Sequence, residues 1–273
     1  MSAKLDAARS LARATCAVTL ALLAMSAPSR AQQDLFASPA EKAQTSSARL
    51  FAGGFDRDFY TVGVQIELSA HTVTYWRQPG DAGAAPIFDF SESENVGAVE
   101  VFYPAPKHLE EAGGIVAGYD KTVVFPLRVA PRDAKAPVKL DLRLSYAACY
   151  KICLPARAHL TLGMPLKDTS PYKDEIARAF SLVPKKLSAA EAKNVLSVAR
   201  QTEKNTWRVT FAGSDKPLDV FVEAPDPLYL DATRARGGDG FDVVLQSGTA
   251  DKIDAVLTVI TDAGAFEAPV TLQ

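Results

Sequence analysis

Cys149 and Cys153 stand four residues apart in a chain of 273 residues that holds one other cysteine, Cys16. The local run is Tyr146-Ala147-Ala148-Cys149-Tyr150-Lys151-Ile152-Cys153-Leu154-Pro155. A close cysteine pair supports a structural disulfide, reversible thiol–disulfide exchange, or binding of a soft metal ion. Geometry restricts the first two. Along a continuous strand, residues four apart lie about 13 Å from each other at roughly 3.3 Å per residue. A disulfide requires Cα atoms closer than about 7 Å. A bond between these cysteines therefore demands a chain reversal between them, and Pro155 fits it by biasing Leu154 back to an extended conformation.

The flanks support the reversal. Leu140, Leu142, Leu144 and Tyr146 alternate with Lys139, Asp141, Arg143 and Ser145, the period of a strand. Ala156, Ala158, Leu160 and Leu162 alternate with Arg157, His159 and Thr161 on the far side. Two antiparallel strands joined by a cysteine-bearing connection are expected, with Cys149 on the polar face by parity. Closing so small a ring stabilises a fold by only about 2 kcal/mol, against roughly 4.7 kcal/mol for a 100-residue loop. The pair is a poor staple, and exposed disulfides are the more readily reduced ones. A small loop clamp and a redox function both remain open on these residues alone.

Several neighbours could serve the pair. Lys151 lies between the cysteines and Arg157 is near; positive charge raises the thiolate fraction, unless these are simply solvated side chains. Glu110 and Glu111 are candidate proton acceptors for a thiol, or else solvated loop acids. Tyr75 and Trp76 either wall the pair or fill the sandwich core. Cys149, Cys153, His159 and Met164 make up a possible Cu(I) set, which parity opposes by sending His159 outward and Met164 to the other face. No phosphate-cradling glycine loop, defensible Ser-His-Asp set or zinc-type spacing occurs, so neither a cofactor nor a resident metal is expected.

The elements that must position the pair read as β-structure. Tyr60–Ser69, Thr72–Arg77, Val96–Tyr103, Thr122–Ala130 and Val138–Tyr146 are strand candidates separated by Gly/Pro/Asp-rich turns. Such spacing predicts a β-sandwich. Tyr172–Phe180 predicts a helix with Ser170 as N-cap and Pro171 at its first position. Ser188–Val195 is a second short helix or part of the connection. From Asn205 the strand pattern returns, through Trp207–Phe211, Leu218–Glu223, Leu228–Ala232, Phe241–Gln246, Ala255–Thr261 and Ala265–Leu272. The expected class is all-β: an immunoglobulin-like sandwich, a short helical connection, and a second, smaller all-β domain.

The N-terminus has the layout of a secretory signal peptide. Lys4, Arg9 and Arg13 precede the apolar run Ala14–Met25, and Ser29-Arg30-Ala31 offers small residues for cleavage. The expected division is signal peptide 1–31, flexible leader 32–47, sandwich 48–166, helical linker 167–190 and C-terminal β domain 191–273. Cys16 leaves with the signal. Without residues 1–31, 26 basic and 31 acidic side chains remain, a net charge of about −5. No basic patch stands out, so nucleic acid is not an expected partner. No later stretch approaches the roughly 18 apolar residues of a membrane helix, so the chain is not expected to be membrane-embedded. Export places it in an oxidising compartment.

Four runs then occur in order: Tyr75-Trp76-Arg77-Gln78-Pro79-Gly80-Asp81-Ala82-Gly83, Val99 through Pro106, Gly118-Tyr119 with Val123 through Val129, and Tyr146 through Pro155. Together they make residues 49–166 resemble the N-terminal periplasmic domain of the DsbD/ScsB family of thiol:disulfide interchange proteins. The resemblance implies an immunoglobulin-like sandwich with the cysteine pair at one end. It implies a periplasmic reductant relay, a protein-disulfide reductase activity if the chain is an enzyme. Cys153 would then be the exchanging nucleophile and Cys149 the resolving thiol. A cap loop shields the pair in the family; Glu110–Tyr119 occupies that stretch, with Gly113, Gly114 and Gly118 suited to a moving lid. The spacing of three residues between the cysteines is shorter than in DsbD proteins and closer to ScsB-like ones. The implied partners are periplasmic thioredoxin-like or disulfide-bearing proteins and a separate membrane electron donor, since the family's membrane and thioredoxin-like domains are not in this sequence. The alternatives are a non-catalytic binding or assembly module with a structural disulfide, and copper handling by the reduced pair.

Overall fold

The computed structural model describes residues 34–80, 83–111, 114–164, 170–213, 216–238 and 240–273. The expected signal peptide, Gly113 and the Asp81-Ala82 turn lie outside the described residues.

Alternating apolar residues build the first layered unit. Its strands are β1 (Glu41–Lys42), β2 (Ser46–Asp56), β3 (Phe59–Leu68), β4 (Thr74–Tyr75), β5 (Ile87–Asp89), β6 (Val96–Val101), β7 (Lys107–Glu111), β8 (Gly114–Tyr119), β9 (Val123–Pro131), β10 (Val138–Cys149) and β11 (Cys153–Met164). One sheet runs β1-β2-β3-β9-β6 and a second β11-β10-β5. Leu50, Val62, Val64, Ile66, Phe125 and Leu127 from the first sheet share a core with Leu140, Leu142, Leu144, Leu160 and Leu162 from the second. Each such side chain, fully buried, stabilises the fold by about 1.5–3 kcal/mol. A third small sheet, β4-β8-β7, closes one end.

Next come α1 (Lys173–Ser181), β12 (Lys185–Lys186) and α2 (Ala189–Val195), then β13 (Leu196–Arg200), β14 (Thr206–Phe211), β15 (Pro217–Glu223), β16 (Tyr229–Arg234), β17 (Phe241–Ser247), β18 (Ile253–Thr261) and β19 (Gly264–Leu272). Two four-stranded sheets, β12-β19-β18-β15 and β13-β14-β17-β16, enclose a second core around Trp207, Val209, Val243, Leu257 and Val259. The described residues from Leu35 onward nevertheless belong to one compact unit. Among the described residues the architecture is all-β with two short helices, as the strand periodicity predicts.

Three expectations are corrected. The leader is not free: Ser38 is buried, its amide donates to the Leu50 carbonyl, and its hydroxyl accepts from the Leu50 amide at 2.9 Å. Polar composition concealed a segment that lies along β2. Ser170 is not the N-cap of α1; that position is Tyr172. The Ser170 hydroxyl instead accepts from the Tyr172 amide and donates to the Ala52 carbonyl, tying the connection to the sandwich. The capping box that does form is at α2, between Ser188 and Glu191. Finally, the cap stretch is a regular β7–β8 hairpin rather than a loop.

Candidate functional site

The pair sits where the long hairpin turns. The strands β10 and β11 stay in register from Val138 opposite Met164 up to Cys149 opposite Cys153. Tyr150-Lys151-Ile152 form the turn, with the Tyr150 amide donating to the Ile152 carbonyl at 3.3 Å. The cysteines are joined by a disulfide across a Cα–Cα distance of 4.0 Å. The reversal that spacing demanded is therefore a three-residue hairpin turn.

The two cysteines differ in exposure. Cys149 is 2% exposed, whereas Cys153 is exposed. Parity put Cys149 on the polar face of β10, and that expectation needs correction. The face is the outer one, but the third sheet covers it. Val73 bridges Cys149 through two backbone hydrogen bonds of 2.8 and 2.9 Å, and Thr74 Oγ1 donates to the Ala147 carbonyl at 2.9 Å. Tyr75 and Val116, with Leu109 at the margin, pack onto Cys149. Alternation along one strand cannot report a layer built from elsewhere in the chain.

Tyr75 is the polar centre of the site. Its hydroxyl oxygen lies 2.9 Å from Cys149 Sγ and 3.3 Å from Cys153 Sγ, and it donates to Glu111 Oε2 at 2.8 Å. Burial pushes the phenol's pKa well above its ordinary value, and the Glu111 carboxylate pushes it further. The hydroxyl thus stays protonated. The second Glu111 oxygen is buried and has no hydrogen-bond partner among the described residues. The chain Sγ, Tyr75 hydroxyl, Glu111 carboxylate can pass a proton in either direction.

Of the predicted neighbours, Tyr75 and Glu111 meet at the sulfurs. Glu110 does not, because alternation along β7 points it to the exposed side. Tyr119 does not either: it is buried in the sandwich core against Phe125 and donates to the Pro104 carbonyl at 2.8 Å. Trp76 turns away from the pair and packs edge-on against Phe221. Lys151 is an exposed turn residue whose ammonium lies over the Tyr150 ring. His159 pairs with Asp141 on the outer face at 2.7 Å, and Met164 is buried at the far end of β11, so neither joins the cysteines. Cys149, Cys153 and Glu111 do bring their donor atoms within 4.8 Å of one another.

Sequence reasoning missed Val73, Leu109 and Val116, which seal Cys149. The apolar alternation of Leu109 with its polar neighbours was the available signal.

Residues 41–165 match the family model described as thiol:disulfide interchange protein DsbD, N-terminal. That segment belongs to the DsbD N-terminal family. The DsbD-type segment contains both cysteines, Tyr75 and Glu111. The crystal structure of the N-terminal periplasmic domain of ScsB from Proteus mirabilis superposes with a TM-score of 0.68 at 18% identity, covering 88% of this chain and 99% of that one. Its likeness in fold therefore extends beyond the DsbD-type segment into the second β unit. No curated protein sequence matches the chain. No helix among the described residues is long and apolar enough to cross a membrane.

Proposed function

We propose that the chain exchanges disulfides with partner proteins through Cys149 and Cys153, as a periplasmic reductant relay. The observation that carries this reading is the asymmetry of the pair. An exposed Cys153 is bonded to a buried Cys149, with a proton donor within hydrogen-bonding reach of both sulfurs. The family membership of residues 41–165 and the periplasmic origin of the similar ScsB domain support it.

In the loading step a donor thiolate attacks Cys153 Sγ. The Cys149–Cys153 bond breaks, a mixed disulfide with Cys153 forms, and Cys149 leaves as a thiolate. Tyr75 stabilises that charge by hydrogen bonding, and solvent supplies the proton that neutralises it. A second donor thiolate then attacks the donor sulfur of the mixed disulfide and frees Cys153. In the unloading step the Cys153 thiolate attacks a partner's disulfide. Cys149 next attacks Cys153 Sγ, releasing the reduced partner and restoring the original bond. Two electrons move in each direction.

Two measurements test the reading. Replacing Cys149 with Ala removes the resolving thiol, so mixed disulfides at Cys153 should accumulate and be recoverable from the periplasm. The reduction potential of the pair should lie above about −300 mV, the range below which disulfides resist reduction and serve structure. No trapped partner together with a lower potential would favour the binding or assembly module with its loop clamp. A second reading is Cu(I) binding by the reduced thiols beside Glu111, favoured by the clustering of their donor atoms. It predicts Cu(I) uptake by the reduced chain that disappears when either cysteine is replaced.

A further inference from the structure

Both groups that reach the sulfurs come from segments that also touch one strand of the second β unit. Strand β15 is the edge of its sheet. Val220 and Val222 point into the second core. Its alternate residues Asp219, Phe221 and Glu223 face the other way. On an edge strand that outer row would ordinarily be solvated, yet Phe221 is 4% exposed and belongs to the core of the first sandwich.

Each member of the row holds an arm of the disulfide site. Strand β7 carries Glu111 and, three residues earlier, His108. The His108 ring stacks on Phe221 with centroids 4.2 Å apart, and Nδ1 lies 2.8 Å from Asp219 Oδ2. Strand β4 carries Tyr75, and the next two residues are Trp76 and Arg77. Trp76 packs edge-on against Phe221 at 5.8 Å. The Arg77 guanidinium donates to both carboxylate oxygens of Glu223 and to Glu267 of β19. Alternation in the β7–β8 hairpin completes the pattern. Leu109 and Val116 pack toward the cysteines, with Glu111 on the same face, while His108 and Ile115 face the second unit across a cleft of about 400 Å³. That cleft leaves the hairpin's hold resting on His108 rather than on broad apolar contact.

We infer that Asp219 and Phe221 are positioning residues for the disulfide site: through His108 they hold the β7–β8 hairpin, and with it Glu111, closed over Cys149. The second β unit is then a fixed bar against which the cap is latched. The inference deepens the proposed relay by naming what regulates access to its buried cysteine.

The test is the rate at which iodoacetamide alkylates Cys149 in the full chain carrying Cys153→Ala, with Tm recorded for every further variant. Losing an aromatic stack or a side-chain hydrogen bond at a latch raises the open population, and His108→Asn and Phe221→Ala should each accelerate alkylation by about three- to tenfold. Val222→Ala, on the opposite face of the same strand, lowers Tm but should leave the rate unchanged. Phe221→Tyr, which keeps the stack, should return the rate to that of the chain carrying Cys153→Ala alone. If Phe221→Ala does not fold, His108→Asn decides the matter alone. Unchanged rates with His108→Asn, or equal acceleration by Val222→Ala, would overturn the inference. Alkylation reads only access to Cys149, so a chain that traps no protein partner sinks the relay and leaves this comparison intact.

Discussion

Tyr75 has one proton and three neighbours that want it: two sulfurs and a carboxylate. In the oxidised state the proton goes to Glu111, the charged acceptor, because a charge-assisted hydrogen bond is the stronger one. Once a thiolate forms, the same proton can turn toward sulfur. Tyr75 and Glu111 therefore act in series. Replacing Tyr75 with Phe should slow exchange with a protein disulfide about tenfold, the low end of what a hydrogen bond to a charged group contributes. Glu111→Gln should slow it by a similar factor. The double variant should be no slower than the worse single one, since groups acting as a unit are not additive. Stopped-flow rates for the four proteins check this; additive losses would separate the two residues.

At the scale of elements, the third sheet is what makes the site. It brings β4 to the end of the long hairpin and lays β7 and β8 over it. Gly118 shows how closely: it pairs with Tyr75, and a Cβ there would meet the Thr74 carbonyl oxygen at 2.2 Å. Gly118 serves close approach of β8 to β4, not the mobility expected of a lid glycine. Gly114 differs, with φ at +131° and open space around it, so it is required by backbone conformation at the hairpin's end. Gly118→Ala must push β8 from β4 and should destabilise the protein by about 1–3 kcal/mol. It should also loosen Tyr75 from the sulfurs. Urea denaturation and the rate of Cys149 alkylation in the Cys153→Ala chain, measured together, would show both effects, and a fully stable variant would contradict the packing argument.

Across the whole molecule, burial raises the pKa of the phenols of Tyr60, Tyr75, Tyr103, Tyr119 and Tyr146. Their unfolded counterparts ionise near pH 10. Below that value both states are protonated and stability is fully present. Above about pH 10 the unfolded chain sheds protons that the native state keeps, so stability falls as pH rises toward the folded pKa values. The urea midpoint should drop between pH 9 and 11. A flat midpoint would mean that these rings are less buried in solution. The Arg77 cluster acts at the same scale. Burial opposes its charge, but Glu223 and Glu267 hold its pKa above the usual arginine value, so it remains a cation that couples the two β units.

The strands around the cysteines were legible because hydrophobic alternation is local: Val138–Cys149 and Cys153–Met164 can be read from their own residues. The reversal at Tyr150–Ile152 was legible for the same reason, since spacing alone forbids a disulfide across an extended chain. The capping box at Ser188 and Glu191 needs only neighbours too, yet it was not read from the sequence, which left Ser188–Val195 as a short helix or part of the connection. What lies over Cys149 was not legible. Its partners Tyr75 and Val116 are 74 and 33 residues away, and parity along β10 could say only which face it occupied. Nor could the sequence separate Glu111 from Glu110, or tell that Tyr119 fills the core while Tyr75 reaches the sulfurs. The sequence determined that a reversible pair was possible and where the chain must turn. Only the tertiary structure decided that Cys149 is sealed while Cys153 is open, because burial is set by which distant elements pack together.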